Sequence, residues 1–356
     1  MNIKSTTLRL ALLLILVLCI SMLTACTPIF QNPVNTPEEN SGEKVSSGEV
    51  IPSEENISGN EEDDVITPAD TDHLYTEIRV SSAKDLFQNI RPFVKIILTE
   101  EYYNTSDIDI SSFNSRYVNV EEEFKGYEFV IKNVSDFEIS SDPNVMAEIV
   151  TTCPLANVIS LVNCNNVKIN GIVAGHEVEK GSCIGGVVYL EDCSDIEIND
   201  CHLYGCGTYG ITSYNSKNVK VNNTEIYECS YGLIDISDSK NFEFNNCTFR
   251  DSMEYTMFAI NGCDKVNFNN CTISDNYSSD YSSFIYCADS KDVIFSKCVF
   301  KYNMYSNFID DPENACSMVG CKISDLYSEY EYYDDYYPDD EYYPEYGYDV
   351  EPDGVG

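Results

Sequence analysis

The stretch Phe242–Phe249 reads FEFNNCTF, and a near copy, Val266–Ile273, begins 24 residues later and reads VNFNNCTI. The apolar–x–apolar triplet that opens each copy recurs at steps of 23 to 30 residues. Its occurrences are Phe137–Ile139, Val167–Ile169, Ile196–Ile198, Val219–Val221, Phe242–Phe244, Val266–Phe268, Val293–Phe295 and Cys316–Met318. A repeat of this length is typical of a chain whose units pack on copies of themselves.

Each repeat contains three short segments in which apolar and polar residues alternate. The triplet is followed by a second segment, such as Cys247–Phe249, and preceded by a third, such as Ile234–Ile236. Alternation with period two predicts strands, and three such short strands bury their apolar faces only when successive coils stack. The sequence therefore predicts an all-β chain, a parallel β-helix of about eight coils that rises about 4.8 Å per coil.

Stacking in register predicts ladders of equivalent side chains that face the interior. One predicted ladder contains Phe129, Ile159, Val188, Ile211, Ile234, Phe258, Ile285 and Phe308. A second contains Ile131, Leu161, Leu190, Ser213, Ile236, Ile260 and Cys287. Paired asparagines, as at Asn245-Asn246, occupy the turn before the last strand of a coil. Asparagine tolerates a left-handed backbone there, and its amide can bond to the asparagine of the next coil.

Many of the sixteen cysteines also follow the repeat. One set shares a ladder with Thr224: Cys201, Cys247, Cys271, Cys298 and Cys321. Another set shares a ladder with serines: Cys164, Cys193 and Cys263. A position that accepts Cys, Ser or Thr requires a small buried side chain, so we expect packed free thiols there. A ladder of disulfides is the alternative, because stacked Cα atoms lie within disulfide range while parallel Cβ atoms lie farther apart than is preferred.

The N-terminal segment 1–25 has the features of an export signal. Lys4 and Arg9 precede the apolar stretch Leu10–Leu23, which is short for a membrane span. It ends in Leu23-Thr24-Ala25-Cys26, which resembles the lipobox of bacterial lipoproteins. This resemblance implies cleavage before Cys26 and lipidation of Cys26, which would anchor the protein to the extracytoplasmic face of the membrane.

Composition separates three further segments. Residues 26–72 are rich in Pro, Asn, Ser, Gly and Glu and are predicted to form a disordered acidic tether, and 325–356 a disordered acidic tail rich in tyrosine. Between them, 73–126 would form an N-terminal cap with the first strands, and 127–324 the β-helix. The formal net charge of −39 makes nucleic-acid binding unfavourable.

The repeats of 127–324 resemble those of bacterial right-handed β-helix proteins, including pectate lyases, polygalacturonases and the NosD-like carbohydrate-binding repeats, for which the starts Tyr209–Ile211 and Tyr231–Leu233 are typical. The resemblance implies a right-handed coil and a helix that covers its first turn. Ser82–Arg91 fits that helix, because Ala83, Leu86, Phe87 and Ile90 have helical spacing. Ser82 and Asp85 form a predicted capping box.

Catalytic motifs of these enzymes are largely missing from the sequence. Asp311-Pro312-Glu313 lacks the histidine of the corresponding epimerase motif, and the polygalacturonase signatures are absent. We therefore expect a lipid-anchored surface protein whose β-helix binds polysaccharide or serves as a wall-associated scaffold. A polysaccharide lyase, epimerase or hydrolase with a nonstandard site is the alternative, and a structural spacer is a third hypothesis.

The resemblance also implies where a ligand would bind, namely on the outer face of the first strand of each coil. The predicted outward row contains Ser160, Tyr189, Thr212, Asp235, Ala259 and Tyr286. Four residues of this face, together with a histidine from a long insertion, are the candidate glycan-binding residues: Tyr189, Glu191, Tyr214, Asp235 and His176. Tyrosine rings suit the C–H faces of sugars, and the carboxylates suit hydroxyls or a bound calcium ion, the only cofactor considered.

Overall fold

The computed structural model describes residues 75–178, 182–205 and 207–324. The predicted signal peptide, tether and tail, and with them Cys26, lie outside these residues. In the described ranges no helix has the length and apolar character needed to cross a membrane. Most of the described chain forms three long sheets, here called A, B and C.

Sheet A contains ten strands within the described residues. In spatial order they are β1 (Thr76–Val80), β2 (Val94–Leu98), β6 (Ser135–Ser141), β9 (Asn165–Asn170), β12 (Ser194–Asn199), β15 (Lys217–Asn222), β18 (Lys240–Asn245), β22 (Asp264–Asn269), β26 (Lys291–Ser296) and β29 (Cys316–Val319). These strands contain the triplets that recur in the sequence. All neighbouring pairs are parallel, and the triplets pair in the predicted register, for example Phe242 with Val266.

Sheets B and C contain nine strands each in the same part of the chain. Sheet B is formed by β3 (Tyr102–Asn104), β7 (Glu148–Thr151), β10 (Val173–His176), β13 (His202–Tyr204), β16 (Glu225–Tyr227), β19 (Thr248–Arg250), β23 (Thr272–Ser274), β27 (Val299–Lys301) and β30 (Lys322–Ser324). Sheet C is formed by β4 (Val118–Glu123), β5 (Gly126–Lys132), β8 (Ile159–Val162), β11 (Val188–Glu191), β14 (Tyr209–Tyr214), β17 (Gly232–Ser237), β21 (Phe258–Asn261), β25 (Ser283–Ala288) and β28 (Asn307–Asp310).

The chain passes from sheet C to A to B in eight successive coils of the described residues, and it returns to sheet C after each of the first seven. The protein is a right-handed parallel β-helix, as predicted. The pair β4–β5 is an antiparallel exception at the N-terminal end. Two further short strands, β20 (Met253–Glu254) and β24 (Tyr277–Ser278), form a separate parallel pair between sheets B and C.

A short helix, α1 (Ala83–Gln88), lies at the N-terminal end of the coil. Ser82 caps it, because its side-chain oxygen accepts a hydrogen bond from the Asp85 backbone N–H at 3.1 Å. Ala83, Leu86 and Phe87 are buried, and the Phe87 ring stacks on Phe129 with centroids 5.2 Å apart. The helix is shorter than the predicted Ser82–Arg91. Two single-turn 3-10 helices follow β3, at Thr105–Asp107 and Ile110–Ser112.

Large apolar side chains stack along the inside of the coil. Phe244 and Phe295 lie parallel to Phe268 on either side, at centroid distances of 4.7 and 4.3 Å. The two predicted inward ladders are confirmed except at the last coil, where Ile285 pairs with Ile309 and not with Phe308. Ser283 pairs with Asn307, which sets Phe308 level with Phe284, and its ring packs on Tyr305 at 4.8 Å.

The asparagine turns are confirmed, and the two residues of each pair have different roles. The first asparagine forms the ladder: the Asn245 amide donates to Asn222 at 2.9 Å, and the Asn269 amide donates to Asn245 at 3.0 Å. The second asparagine takes the left-handed backbone, with φ of 54° at Asn246 and 55° at Asn270. This division explains why FEFNNCTF keeps both.

The ladder cysteines are free thiols, as expected. Each donates a weak hydrogen bond to a carbonyl of the preceding coil, as Cys271 Sγ does to Phe244 O at 3.4 Å. Serine also occupies the turn between sheets C and A, where Ser290 Oγ donates to Ile260 O of the preceding coil at 3.4 Å and Ser239 Oγ accepts from the Ser216 backbone N–H. Cys183 differs, since it is disulfide-bonded.

Candidate functional site

The outer face of sheet C brings together four of the five candidate residues. Tyr189 pairs with Thr212, and Thr212 with Asp235, so these side chains form one outward row. Glu191 pairs with Tyr214 in the adjacent row. Tyr214 is 47% exposed, whereas the others are partly buried. Because both rows follow the rod axis, the face is a strip across several coils.

Tyr189 and Glu191 form the centre of this strip. The Tyr189 hydroxyl donates a hydrogen bond to Glu191 Oε2 at 3.1 Å. Burial, and then the bond to Glu191, raise the pKa of Tyr189 to about 12. The Tyr189 hydroxyl group therefore remains protonated near neutral pH and acts as a hydrogen-bond donor. The remaining Glu191 oxygen has no partner among the described residues, so it can accept a hydrogen bond from a ligand.

Glu128 is a carboxylate of this face that the sequence analysis missed. It lies on β5 and is nearly buried, and its Oε1 accepts from Asn157 Nδ2 at 3.0 Å and from Ser160 Oγ. These contacts also bury Ser160, which is 1% exposed and does not present the open outward side chain that was predicted. The alternation of inward Phe129 and Ile131 would have placed Glu128 on the outer side.

Asp235 lies one coil beyond Tyr214 and is bounded by tyrosines. Burial raises the pKa of its carboxyl group, and no hydrogen bond or ion pair to it occurs within the described chain. Burial and the charge of Asp235 raise the pKa of Tyr209 to about 12. A Cβ on Gly232 would lie 2.9 Å from the Tyr209 ring, so this glycine allows the ring to lie against the next coil.

His176, the fifth candidate, does not lie on this face. It ends β10 in sheet B and is 4% exposed, with Nε2 3.1 Å from the Gly186 carbonyl oxygen. Gly185 allows the backbone that precedes β11 to lie directly over the ring, because a Cβ at that position would be 2.9 Å from His176 Cε1. The prediction that His176 borders Tyr189 is therefore wrong, and the histidine instead supports the segment that leads into β11.

Basic side chains are rare on this face. Strands β8, β11, β14, β17, β21, β25 and β28 contain no Lys, Arg or His. Lys132 at the end of β5 is paired with Glu121 at 2.6 Å. The described residues also contain no group of three or more His, Cys, Asp and Glu placed to hold a metal ion. The strip therefore offers aromatic surface and hydrogen-bond acceptors without a positive charge.

The outer face of sheet B carries a second polar cluster, which the sequence analysis also missed. Tyr204 stacks on Tyr227 at 5.8 Å, and the Arg250 guanidinium lies 4.2 Å from the Tyr227 ring. Arg250 Nε donates to Glu225 Oε1, and His202 Nδ1 lies 3.0 Å from Glu225 Oε2. The Tyr204 hydroxyl donates to Glu148 at 2.7 Å. The sequence did contain a signal for this cluster, because Tyr204, Tyr227 and Arg250 follow one another at intervals of 23 residues.

A comparison with known protein families agrees with this fold. A family model described as a right-handed β-helix region matches residues 185–329. Among solved structures, the chain is similar to the pectate lyase Bsp165PelA from Bacillus sp. N165, solved with trigalacturonate, with a TM-score of 0.44, 10% identity and coverage of 77% of this chain and 88% of that one.

It is also similar to pectate lyase C from Erwinia chrysanthemi, with a TM-score of 0.44, 12% identity and coverage of 70% of this chain and 76% of that one. For an alginate lyase from Paenibacillus sp. str. FPU-7 the TM-score is 0.36, with 12% identity and coverage of 70% and 97%. No curated protein matches the sequence.

Proposed function

We propose that this protein binds an uncharged polysaccharide, without cleaving it, on the outer face of sheet C. The observation that carries the proposal is the strip of tyrosines, centred on Tyr189, Tyr209 and Tyr214, beside Glu191 and Asp235 and without a basic side chain. Tyrosine rings pack against the C–H faces of sugar rings, and carboxylate oxygens accept hydrogen bonds from sugar hydroxyls.

The charge of the face supports an uncharged ligand. Carboxylates at Glu128, Glu191 and Asp235 would repel an anionic sugar, and the chain as a whole has a formal net charge of −39. A polyanion would require bridging cations, of which calcium is the one that carboxylates bind readily. Binding with and without calcium therefore separates the two ligand classes.

A hydrolase is the second candidate function, because the pKa of Asp235 is raised by burial. A carboxyl group whose pKa is raised holds its proton more readily, which suits a general acid, and perturbed groups of this kind concentrate in active sites. Glycoside hydrolysis also needs a second carboxylate at a defined separation. A lyase would need a base such as Arg or Lys, and the strands of the face from β8 to β28 have none.

We further propose that lipidation of Cys26 anchors the protein to the extracytoplasmic side of the membrane, where polysaccharides of the wall are within reach. The support is the ordered series of basic residues, apolar stretch and Leu23-Thr24-Ala25-Cys26. Two acyl chains give stable anchoring, whereas one is marginal. Fractionation of cells that express Cys26→Ala tests this: the variant should leave the membrane fraction, and full retention would contradict lipidation.

The binding proposal is tested with the purified full chain and a panel of polysaccharides, with and without calcium. Tyr189→Ala combined with Tyr214→Ala should weaken binding at least about tenfold, a loss of about 1.4 kcal/mol. Tyr281→Ala is the matched control, because Tyr281 is fully exposed. Released sugar that disappears in Asp235→Asn would support the hydrolase. Wild-type binding by the double variant would refute this location.

A further inference from the structure

The turn that joins sheet C to sheet A forms a second concave surface, a polar groove of about 470 Å³ that crosses several coils. One wall follows the sheet C strands directly and includes Asp192, Asn215 and Asp238. The opposite wall begins the sheet A strands and includes Lys217, Lys240 and Asp264. Small side chains, such as Ser216 and Ser239, form the floor.

The backbone of the turn explains the first wall. Asp192, Asn215 and Asp238 have φ values of 53°, 48° and 50°, in the left-handed region that Asn and Asp tolerate. The Asn215 amide also donates to Asp192 Oδ1. These residues are therefore required by the fold whether or not a ligand is present.

The lysines of the second wall have no such explanation. Three other lysines of the same sheet face are paired with carboxylates: Lys95 with Glu138 at 2.9 Å, Lys168 with Glu197 at 3.4 Å and Lys291 with Asp264 at 3.2 Å. Lys217 and Lys240 are direct cross-strand partners, yet within the described residues neither forms an ion pair or a side-chain hydrogen bond. Two like charges placed opposite each other destabilise a sheet, and Asp264, which lies opposite Lys240 on the next strand, offsets this only in part because it is ion-paired with Lys291.

An acceptor in the same wall is also unused. Asp264 Oδ2 pairs with Lys291, but Asp264 Oδ1 is buried and has no hydrogen-bond partner in the structure. The second wall thus offers two cationic donors, Lys217 and Lys240, that no described residue uses.

The charges of the lining restrict the ligand. The lining holds the carboxylates Asp192, Asp238 and Asp264 beside Lys217 and Lys240, and Asp264 is paired with Lys291, so the groove has no net positive charge that would favour an anionic ligand. The described residues hold no metal-binding group. Sugar hydroxyls both donate and accept hydrogen bonds, which matches a lining that mixes ammonium, amide and carboxylate groups. The volume also falls within the range of about 300–1,000 Å³ of small-molecule sites.

We propose that this groove is a second binding site for an uncharged polysaccharide, in which Lys217 and Lys240 donate to sugar hydroxyls. The choice of an uncharged polysaccharide as ligand rests on the proposed function, and the groove is an additional binding site for it. Because Glu191 and Tyr214 are followed directly by Asp192 and Asn215, the groove runs along the edge of the tyrosine strip. Two sugar chains could therefore lie side by side along the rod.

The test uses the full chain and three uncharged probes, xylohexaose, cellohexaose and mannohexaose, in isothermal titration calorimetry. We expect two sites per chain for a hexasaccharide that binds. Lys217→Met with Lys240→Met keeps the apolar stems but removes the donors, and it should weaken one site at least tenfold. Lys220→Met is the matched control, because Lys220 is exposed on β15, three residues from Lys217.

A second readout does not depend on variants. Saturating hexasaccharide should slow the acetylation of Lys217 and Lys240, measured by mass spectrometry, and should leave Lys220 unchanged. Binding that survives the double lysine variant, without protection of either lysine, would overturn the groove site and leave the tyrosine strip intact. Loss of binding in the double lysine variant, but not in the double tyrosine variant, would support the groove as a binding site and would contradict binding at the tyrosine strip. Failure of all three probes to bind would count against both.

Discussion

Sheets B and C present the same kinds of side chain on their outer faces, but on sheet B an arginine joins a tyrosine ring to a carboxylate, whereas on sheet C Tyr189 bonds only to its neighbour Glu191 among the described residues. On sheet B, Tyr204 and Tyr227 stack, Arg250 covers Tyr227, and Glu225 accepts from Arg250. On sheet C, Tyr214 is exposed and Asp235 has no polar partner within the described chain. Tyrosines and carboxylates alone therefore do not indicate a binding site.

The difference depends on a basic residue. Arg250 bridges an aromatic ring and a carboxylate on sheet B, so the polar groups of that cluster form their hydrogen bonds within the protein. The strands of sheet C from β8 to β28 have no Lys, Arg or His to play this part. A face whose acceptors and rings are left open is available to a ligand, whereas a satisfied one stabilises the fold.

The substitution with the largest expected effect should disrupt the outer faces of sheets B and C together, because it unfolds the coil that both belong to. Ile236→Asp places a charge on a fully buried inward ladder that supports sheets B and C alike. We expect a loss of about 4 kcal/mol or more and no cooperative thermal transition, because a buried unpaired charge is among the most destabilising changes. Ser237→Asp, one residue along the same strand but pointing outward, is the control and should melt like the wild type. An unchanged melt for Ile236→Asp would mean that the ladder is misassigned.

The next effect should separate the two faces. Tyr204→Ala with Tyr227→Ala should lower stability by about 2 kcal/mol, through loss of the ring stack and the Arg250 contact, while polysaccharide binding stays at the wild-type level. Tyr189→Ala with Tyr214→Ala should do the reverse, since the only hydrogen bond lost is that to Glu191. Chemical denaturation and a binding titration on both variants measure this. If both double variants weakened polysaccharide binding equally, sheet C could not be distinguished from sheet B as the binding face.

The sequence was sufficient to predict the coil because 23-residue spacing and period-two alternation reflect the same packing constraint in every turn. Prediction failed where a coil departs from the repeat. Phe308 is displaced by one position in the last coil, and Gly185 lets backbone cover His176. The stack on sheet B was missed for a different reason: Tyr204, Tyr227 and Arg250 differ in side-chain type, so their 23-residue spacing does not form an apolar or cysteine ladder in the sequence.

Two carboxylates should respond oppositely to neutralisation. Burial raises the pKa of Asp235, so its charged form disfavours the fold, and stability is lost as pH rises above its ordinary value of 3.8. Asp235→Asn should therefore melt about 2–4 °C above the wild type at pH 7. The bond from Arg250 lowers the pKa of Glu225, so its contribution is present above 4.5 and is lost as pH falls.

Glu225→Gln should accordingly melt lower than the wild type at pH 7, and the difference should be only about 1–3 °C because water screens this partly exposed pair. Thermal melts of both variants at pH 7 and pH 3.5 provide the check. The two differences have opposite signs at pH 7, and both should shrink at pH 3.5, where Asp235 is largely protonated and the unfolded chain takes up the proton of Glu225. A lower melting temperature for Asp235→Asn at pH 7 would show that its charge is compensated by a contact outside the described residues.

The smallest expected effect concerns the residue that links the two faces. His176 on sheet B contacts the Gly186 carbonyl, the Gly186 N–H donates to Asn157 at 3.0 Å, and Asn157 donates to Glu128 on sheet C. Burial lowers the pKa of His176, and its Nδ1 has no hydrogen-bond partner among the described residues, so the folded protein favours the neutral ring. Below the ordinary value of 6.5 the unfolded chain takes up a proton that the folded chain resists, and stability therefore falls as pH decreases. Between pH 7 and pH 5.5 the wild type should lose about 1–2 °C more in melting temperature than His176→Gln, measured as the slope of each variant against pH so that any constant cost of the substitution cancels. If the two slopes coincide, the ring is protonated as readily in the fold as outside it, and the connection from sheet B to Glu128 does not depend on a neutral histidine.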